Sequence, residues 1–204
     1  SRFTPGEIVF CNETGGDAHQ RMWFCTADGT VFKPLYKETP LDWGFHTGDA
    51  GYFKNGQLFL TERIKDLFKT SNGKYVAPQA LETKLVIDRY IDQIAIIADQ
   101  RKFVSALIVP VYGFVKEYAE EKGIKYKDME ELLKHPKIVG LFRARIDTLQ
   151  QQFAHYEQIK RFTLLPEPFS MERGELTNTL KLKRSVVAKN YSEQIEKMYE
   201  ENEK

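Results

Sequence analysis

The chain has 204 residues, with 30 basic and 29 acidic side chains, a net charge of +1 and 42% apolar residues. This balance argues against a nucleic-acid-binding protein, because neutralising phosphates takes a net basic surface or a clear basic stripe. The two cysteines are too few for a secreted disulfide framework, and no apolar run approaches the roughly 20 residues that a membrane-spanning helix needs. We therefore expect a soluble globular protein in a reducing, cytoplasmic location.

The first part of the chain is predicted to be rich in β-strands. Residues 6–10 and 23–32 cluster β-forming side chains between loops that contain turn residues. Residues 52–60 have the pattern of a hairpin, because Asn55 and Gly56 can adopt the positive φ angles that a tight primed turn requires.

A domain boundary is predicted at the charged link that follows this hairpin, so that residues 1–62 and 63–204 form separate domains. In the second domain, a helix is expected to begin at Pro78, since proline suits the first turn of a helix. The later elements are predicted as an antiparallel strand pair at 94–98 and 103–109, helices within 114–155, a strand at 162–165 and a last helix from Thr179 onward. The predicted fold class is α+β, with a short sheet flanked by helices.

Asp49 and Arg63 form a candidate nucleotide-binding pair. The Asp49 carboxylate can accept hydrogen bonds from two adjacent hydroxyl groups, which is what a nucleotide ribose offers. Arg63, fourteen residues later, has a planar fork of donors that can reach the same hydroxyls. Each residue also has a simpler interpretation, because a Gly-Asp pair commonly caps a turn and an isolated arginine is usually solvated.

A metal site is not predicted. The candidate ligands share no spacing typical of metal binding, and they are His19, His46, His135, His155, Cys11 and Cys25. Neither cysteine has a neighbouring base, so both thiols are interpreted as small buried side chains.

Several motifs follow Asp49 in an uninterrupted order: the hairpin, the link 63–66, the turn 71–74, and Pro78 with Glu82. Far downstream comes Leu-Thr-Asn-Thr-Leu-Lys-Leu-Lys-Arg at residues 176–184. This order resembles the carboxyl-side core of the AMP-forming acyl-CoA ligases, the superfamily that also holds luciferases and the adenylation domains of peptide synthetases. The final lysine motif and the segment 114–162 resemble the long-chain fatty-acid branch.

The resemblance implies a role for each of five residues. Asp49 and Arg63 correspond to the residues that bind the ribose hydroxyls of ATP and of the acyl-adenylate. Lys65 corresponds to the hinge about which the small domain rotates between the two half-reactions. Gly73 falls where the loop approaches the pantetheine arm of coenzyme A, and Lys181 corresponds to the catalytic lysine of adenylation, which enters between the substrate carboxylate and the α-phosphate.

Parts of the family's pattern are missing from this sequence. The glycine-rich phosphate loop is absent, because the stretch 14–16 is too short and lacks a following lysine, and no magnesium-binding acidic motif or acyl tunnel is recognised. All of these belong to a large amino-terminal domain in the family. We therefore interpret the chain as a fragment, the small mobile domain behind the end of the large one. Locally, Trp43-Gly44 replaces the usual Gly-Trp, and Leu180 replaces the glycine that commonly precedes the lysine.

The resemblance implies a complete enzyme that activates a fatty acid with ATP to acyl-AMP and then transfers the acyl group to coenzyme A. Its cofactors would be ATP, coenzyme A and Mg²⁺, the last held by the missing amino-terminal domain, and the fragment alone is expected to be inactive. Peripheral membrane association remains open. The alternative is a non-catalytic binding or regulatory module derived from an adenylate-forming enzyme, and the presence of all five residues favours the enzyme.

Overall fold

The protein divides into two compact units, Ser1–Leu67 and Phe68–Lys204. The structure, a computed structural model, describes residues 7–12, 20–25, 31–32, 45–54, 57–63 and 66–200. The division lies slightly beyond the predicted boundary between residues 62 and 63, and a strand of the first unit continues through Arg63.

The first unit contains one antiparallel sheet. Its strands are β1 (Glu7–Asn12), β2 (Gln20–Cys25), β3 (Val31–Phe32), β4 (Phe45–Lys54) and β5 (Gln57–Arg63). They are ordered β3-β2-β1-β4-β5 in a five-stranded sheet. The predicted hairpin is confirmed by the pairing of β4 with β5, in which Lys54 lies opposite Gln57. Its turn residues, Asn55 and Gly56, lie outside the described residues.

The second unit alternates short strands with helices. Its strands are β6 (Phe68–Lys69), β7 (Tyr75–Val76), β8 (Ile91–Ile97), β9 (Val104–Pro110) and β10 (Ile159–Leu164). Its helices are α1 (Pro78–Leu85), α2 (Tyr112–Glu121), α3 (Met129–Lys134), α4 (Pro136–Leu149), α5 (Arg184–Asn190) and α6 (Ser192–Glu200). This mixture of small sheets and helices is the α+β class that the sequence predicts.

Helices pack on both faces of a three-stranded sheet, ordered β10-β9-β8, in this unit. The central strand β9 is antiparallel to β8, as predicted, and parallel to β10. All seven residues of β9 are buried, as expected for a strand covered on both faces. The helices α1 to α4 contribute to the core cluster on one side, and α5 and α6 contribute Val187, Ile195 and Met198 to the other.

The end of the chain differs from the prediction of a single helix from Thr179 onward. Residues 176–182 form a tight turn closed by an isolated antiparallel bridge between Leu176 and Leu182. Within it, Leu180 has φ +59°, a left-handed conformation that a right-handed helix does not contain. The helix α5 therefore begins only at Arg184, and α6 follows it as a separate element.

Candidate functional site

Lys181 ends a tight turn of residues 177–181, which we call the Lys181 turn. The backbone N–H of Thr177 donates to the carbonyl of Lys181 at 2.8 Å, and the N–H of Leu180 donates to the carbonyl of Thr177 at 2.8 Å. The N–H of Lys181 donates to Thr177 Oγ1 at 3.0 Å. This is the pattern of a three-residue hairpin loop that ends in a left-handed residue, here Leu180. The exposed Lys181 side chain is thus carried on a fixed backbone.

The buried carboxylate of Glu175 anchors the base of the Lys181 turn. It accepts hydrogen bonds from the Ser170 N–H at 3.0 Å, Arg173 Nε at 3.1 Å and Asn190 Nδ2 at 3.1 Å. Burial raises the pKa of the Glu175 carboxyl, but the hydrogen bonds from Arg173, Asn190 and Ser170 outweigh it, and the pKa lies below its ordinary value. The Glu175 carbonyl also accepts the Lys183 N–H at 2.7 Å, which closes the turn on its exit side.

An ion pair anchors the chain immediately after the Lys181 turn. Arg184 Nη1 and Nη2 donate to Glu82 Oε1 and Oε2 at 2.6 and 2.8 Å, a two-pronged geometry that fixes direction as well as distance. Glu82 Oε1 also accepts the N–H of Ile96 at 2.9 Å. The lysine is therefore held between a buried carboxylate on one side and a link to α1 and β8 on the other.

Gly73 lies in a second turn of the same design, residues 70–74, which we call the Gly73 turn. The Thr70 N–H donates to the Lys74 carbonyl at 2.9 Å, the Gly73 N–H donates to the Thr70 carbonyl at 2.9 Å, and the Lys74 N–H donates to Thr70 Oγ1 at 3.1 Å. Gly73 has φ +75°, and no described atom beyond its chain neighbours lies within 4 Å of the position of a Cβ. This geometry leaves room for the close approach of another chain or ligand.

The Gly73 turn is fastened to the turn between β8 and β9. The Ser71 N–H donates to the carbonyl of Arg101 at 3.0 Å, and Asn72 Nδ2 donates to the carbonyl of Lys102 at 3.4 Å. The loop that follows α4 lies near the opposite end, where Lys74 Nζ is 5.7 Å from the centre of the Tyr156 ring. The Gly73 turn and the Lys181 turn both lie in the second compact unit.

Asp49 and Arg63 lie directly opposite each other in the register of the β4–β5 hairpin. The hairpin thus brings together two residues that are distant in sequence. The register is irregular between Ala50 and Gly51, next to Asp49, and such bulges commonly adjoin functional sites. Arg63 is exposed. Lys65, the predicted hinge residue, lies outside the described residues.

His135 and His155 contact neighbouring residues of the second unit. His135 caps α4, where its Nδ1 accepts the N–H of Lys137 at 3.2 Å, and His155 Nε2 lies 3.1 Å from Lys160 Nζ. Within the part of the chain that the structure describes, no group of three or more His, Cys, Asp or Glu residues is arranged to hold a metal ion. In the same part, no helix has the length and apolar character needed to cross a membrane.

The second unit matches a known family along almost its whole length. Residues 65–203 match the family model described as AMP-binding enzyme C-terminal domain. The chain belongs to this family. Because the match begins at residue 65, it includes Lys65, Gly73 and Lys181 but not Asp49 or Arg63.

Relatives of this AMP-binding enzyme C-terminal domain are much longer proteins. The long chain acyl-CoA synthetase 7, peroxisomal, of Arabidopsis thaliana is 34% identical over 96% of this chain and 30% of its own length. Long-chain-fatty-acid–CoA ligase FadD15 of Mycobacterium tuberculosis is 33% identical over 84% of this chain and 30% of its own length. The chain thus spans about 30% of the length of these curated relatives.

Solved structures of adenylation domains share the fold. The adenylation domain of the carboxylate reductase of Mycobacterium chelonae has a TM-score of 0.61 and 23% identity, over 78% of this chain and 24% of that one. The A domain of carboxylic acid reductase from Segniliparus rugosus, in complex with AMP and a co-purified carboxylic acid, has a TM-score of 0.61 and 20% identity, over 88% of this chain and 28% of that one.

Sequence reasoning missed the residues that hold the lysine of this AMP-binding enzyme C-terminal domain. Glu175 carries no local signal, because a single glutamate before an apolar residue is usually exposed. Glu82 and Arg184 stand in recognised motifs, but 102 positions separate them and only the fold pairs them. The anchors of Lys181 therefore become visible only in three dimensions.

Proposed function

We propose that this chain is the lysine-bearing mobile domain of an AMP-forming long-chain fatty-acid CoA ligase, together with the end of the preceding large domain. The complete enzyme would convert a fatty acid and ATP to acyl-adenylate and pyrophosphate. The thiol of coenzyme A would then attack the acyl carbon, giving the thioester and releasing AMP. Support comes from the family membership and from relatives named as long-chain ligases that are about three times longer.

The observation that carries this proposal is the exposed Lys181 on an anchored turn. In the first half-reaction a carboxylate attacks a phosphate, so two negative groups must approach each other. A lysine ammonium is a compact point charge on a flexible stem, and it can offset charge on both groups as they meet. Because the backbone of the turn is fixed, only the side-chain torsions of Lys181 have to adjust to place the ammonium group.

The other candidate residues fit supporting roles in this scheme. Asp49 and Arg63 would bind the ribose hydroxyls, for which their opposed positions in the hairpin are suitable. Gly73 would let the pantetheine arm pass close to the backbone, and the open space beside it supports this role. Lys65 would act as the hinge. Mg²⁺ would be held by residues of the large domain, and we further propose a cytoplasmic location.

The test is the Lys181→Ala substitution in the complete ligase that contains this chain. Pyrophosphate exchange should fall by about two to three orders of magnitude, the usual effect of removing one charge-stabilising group. Thioester formation from supplied acyl-adenylate should largely survive, because the carboxylate and the phosphate no longer have to be brought together. Lys183→Ala is the matched control, since Lys183 is an exposed lysine two positions away, and it should leave both rates near normal.

Equal loss of both half-reactions in Lys181→Ala would contradict the catalytic assignment and indicate a structural role. A complete protein without acyl-CoA synthesis for any fatty acid would favour the non-catalytic module instead. The 204-residue chain alone should form no acyl-CoA, because the phosphate loop and the acyl pocket are missing from its sequence. Measurable acyl-CoA synthesis by the purified chain would contradict the proposal that the large domain supplies the phosphate loop and the acyl pocket.

A further inference from the structure

A cavity of about 720 Å³ lies between α4, β10 and α6, on residues that the proposed ligase chemistry does not use. One wall is the first half of α4 and the other is α6. Its floor is residues 160–163 of β10, which pairs with β9 at the edge of the sheet within the described residues.

The lining of this cavity is strongly basic. Four of its side chains are cationic: Arg143, Lys160, Arg161 and Lys197. None of the described lining residues is acidic, although Arg143 Nη1 forms an ion pair with Asp147 Oδ1 at 3.3 Å. The chain as a whole is charge-balanced, so this clustering is not a consequence of composition. Cations gathered in a concave surface raise the local concentration of anions.

Arg143 is held in position before any ligand arrives. Its Nη1 and Nη2 donate to the backbone carbonyls of Ile159 and Lys160 at 3.1 and 2.9 Å. Its guanidinium carbon also lies 4.8 Å from the centre of the Phe162 ring. A guanidinium fixed in this way loses little side-chain entropy when it receives an anion. Lys160 and Lys197 are exposed, and Lys160 Nζ lies 3.1 Å from Nε2 of the exposed His155.

The cavity also has an apolar part. Val139 is 38% exposed, and Phe162 and Met198 complete the apolar lining beside the basic groups. A small hydrated anion would use only the cations. An amphiphile with an anionic head and an apolar body would use both parts of the surface.

We propose that this cavity binds the phosphate headgroup of an anionic membrane lipid, so that the second unit docks on an anionic membrane surface. The glycerol phosphate would lie among Arg143, Lys160 and Lys197, and the upper part of the lipid would lie against Val139 and Phe162. This site does not depend on the proposed ligase function. It gives the open question of peripheral membrane association a specific contact surface.

The test uses the 204-residue chain and sedimentation with vesicles of phosphatidylcholine, pure or doped with phosphatidic acid. The doped vesicles should bind the chain and the pure vesicles should not. The double substitution Lys160→Ala with Lys197→Ala should weaken binding roughly thirtyfold, as expected for two lysines lost near an anionic surface. Melting followed by circular dichroism should remain unchanged, because both side chains are exposed.

The matched control is Lys116→Ala with Lys125→Ala, which removes two exposed lysines outside the cavity and should change binding by less than about threefold. Equal weakening by both double variants would overturn the site, because the attraction would then reflect net charge alone. Binding of glycerol 3-phosphate without any binding to doped vesicles would overturn the membrane assignment. Phosphatidylserine vesicles should also bind the chain, because that lipid is anionic and carries a glycerol phosphate, and binding to neither lipid would overturn the proposal.

Discussion

The Gly73 turn and the Lys181 turn are two versions of one structure in different places. Each begins with a threonine whose N–H donates to the carbonyl of a lysine four residues later and whose Oγ1 accepts that lysine's N–H. In each, the residue before the lysine is left-handed, with φ +75° at Gly73 and φ +59° at Leu180. The two turns have the same hydrogen bonds, but the left-handed residue is a glycine in one and a leucine in the other.

The difference between the turns teaches what a backbone conformation requires. Glycine adopts a left-handed φ at almost no steric cost, whereas leucine loses roughly 1–2 kcal/mol there. The Lys181 turn carries that cost between strong anchors, the buried Glu175 on one side and the Glu82–Arg184 ion pair on the other. The Gly73 turn is fastened mainly by backbone and amide contacts to its neighbouring turn.

Glu175→Gln should break the Lys181 turn most strongly. The amide cannot satisfy the Ser170, Arg173 and Asn190 donors together, and we expect the free energy of unfolding to fall by about 2 kcal/mol, a value kept low because Arg173 is partly solvated. Urea unfolding followed by helical circular dichroism measures this change. Glu172→Gln, at an exposed neighbour, is the control and should have no effect.

The destabilisation caused by Glu175→Gln should depend on pH. Because the folded pKa of Glu175 is lowered, its stabilising contribution is present above the ordinary pKa of 4.5 and is lost as the pH falls through the lower folded value. The difference in unfolding free energy between wild type and Glu175→Gln should therefore shrink in acid. A difference that stays constant or grows below the ordinary pKa would contradict this account of the carboxylate.

Removing the threonine hydroxyl should destabilise the Gly73 turn more than the Lys181 turn. Thr70 is 5% exposed, and its hydroxyl both accepts from the Lys74 N–H and donates to the Lys74 carbonyl. We expect Thr70→Val to lower the free energy of unfolding by about 1–2 kcal/mol, and Thr177→Val, at a half-buried position, by about 0.5 kcal/mol. Serine at either position should restore most of the loss. Equal losses at the two sites would show that burial does not distinguish the turns.

Substituting the two left-handed residues should change the free energy of unfolding in opposite directions. Gly73→Ala should cost about 1 kcal/mol, wholly from its φ, since open space surrounds the new Cβ. Leu180→Gly should stabilise by roughly 0.5–1 kcal/mol, the relieved strain less the entropy that glycine loses on folding.

The control for this exchange is Gly140→Ala in α4, which also meets open space but lies in a helix. It should stabilise the protein by up to about 1 kcal/mol, because alanine favours the helix. Destabilisation by Leu180→Gly would mean that the exposed leucine makes contacts that outweigh its backbone strain.

Elements defined by local pattern were predictable. Pro78 and the apolar spacing of Leu81 and Leu85 predict α1, and the β-branched runs on either side of a polar turn predict β8 and β9. The predicted start of the final helix at Thr179 was wrong, because Leu180 gives no local sign of a left-handed conformation. The predictions of α1 and of the β8–β9 pair depend on residues within those elements, while the conformation of Leu180 depends on anchors elsewhere in the fold.

The sequence by itself determined the strand and helix periodicity, the hairpin at residues 52–60, and the motifs that carry the family resemblance. These features are local, because each follows from spacing or turn chemistry along a short stretch. Only the tertiary structure decided that Glu175 is buried among three donors, that Arg184 reaches Glu82, and that four cations line one cavity. Burial and charge pairing depend on which surfaces pack together in the folded chain. The local sequence around each residue does not indicate those long-range contacts.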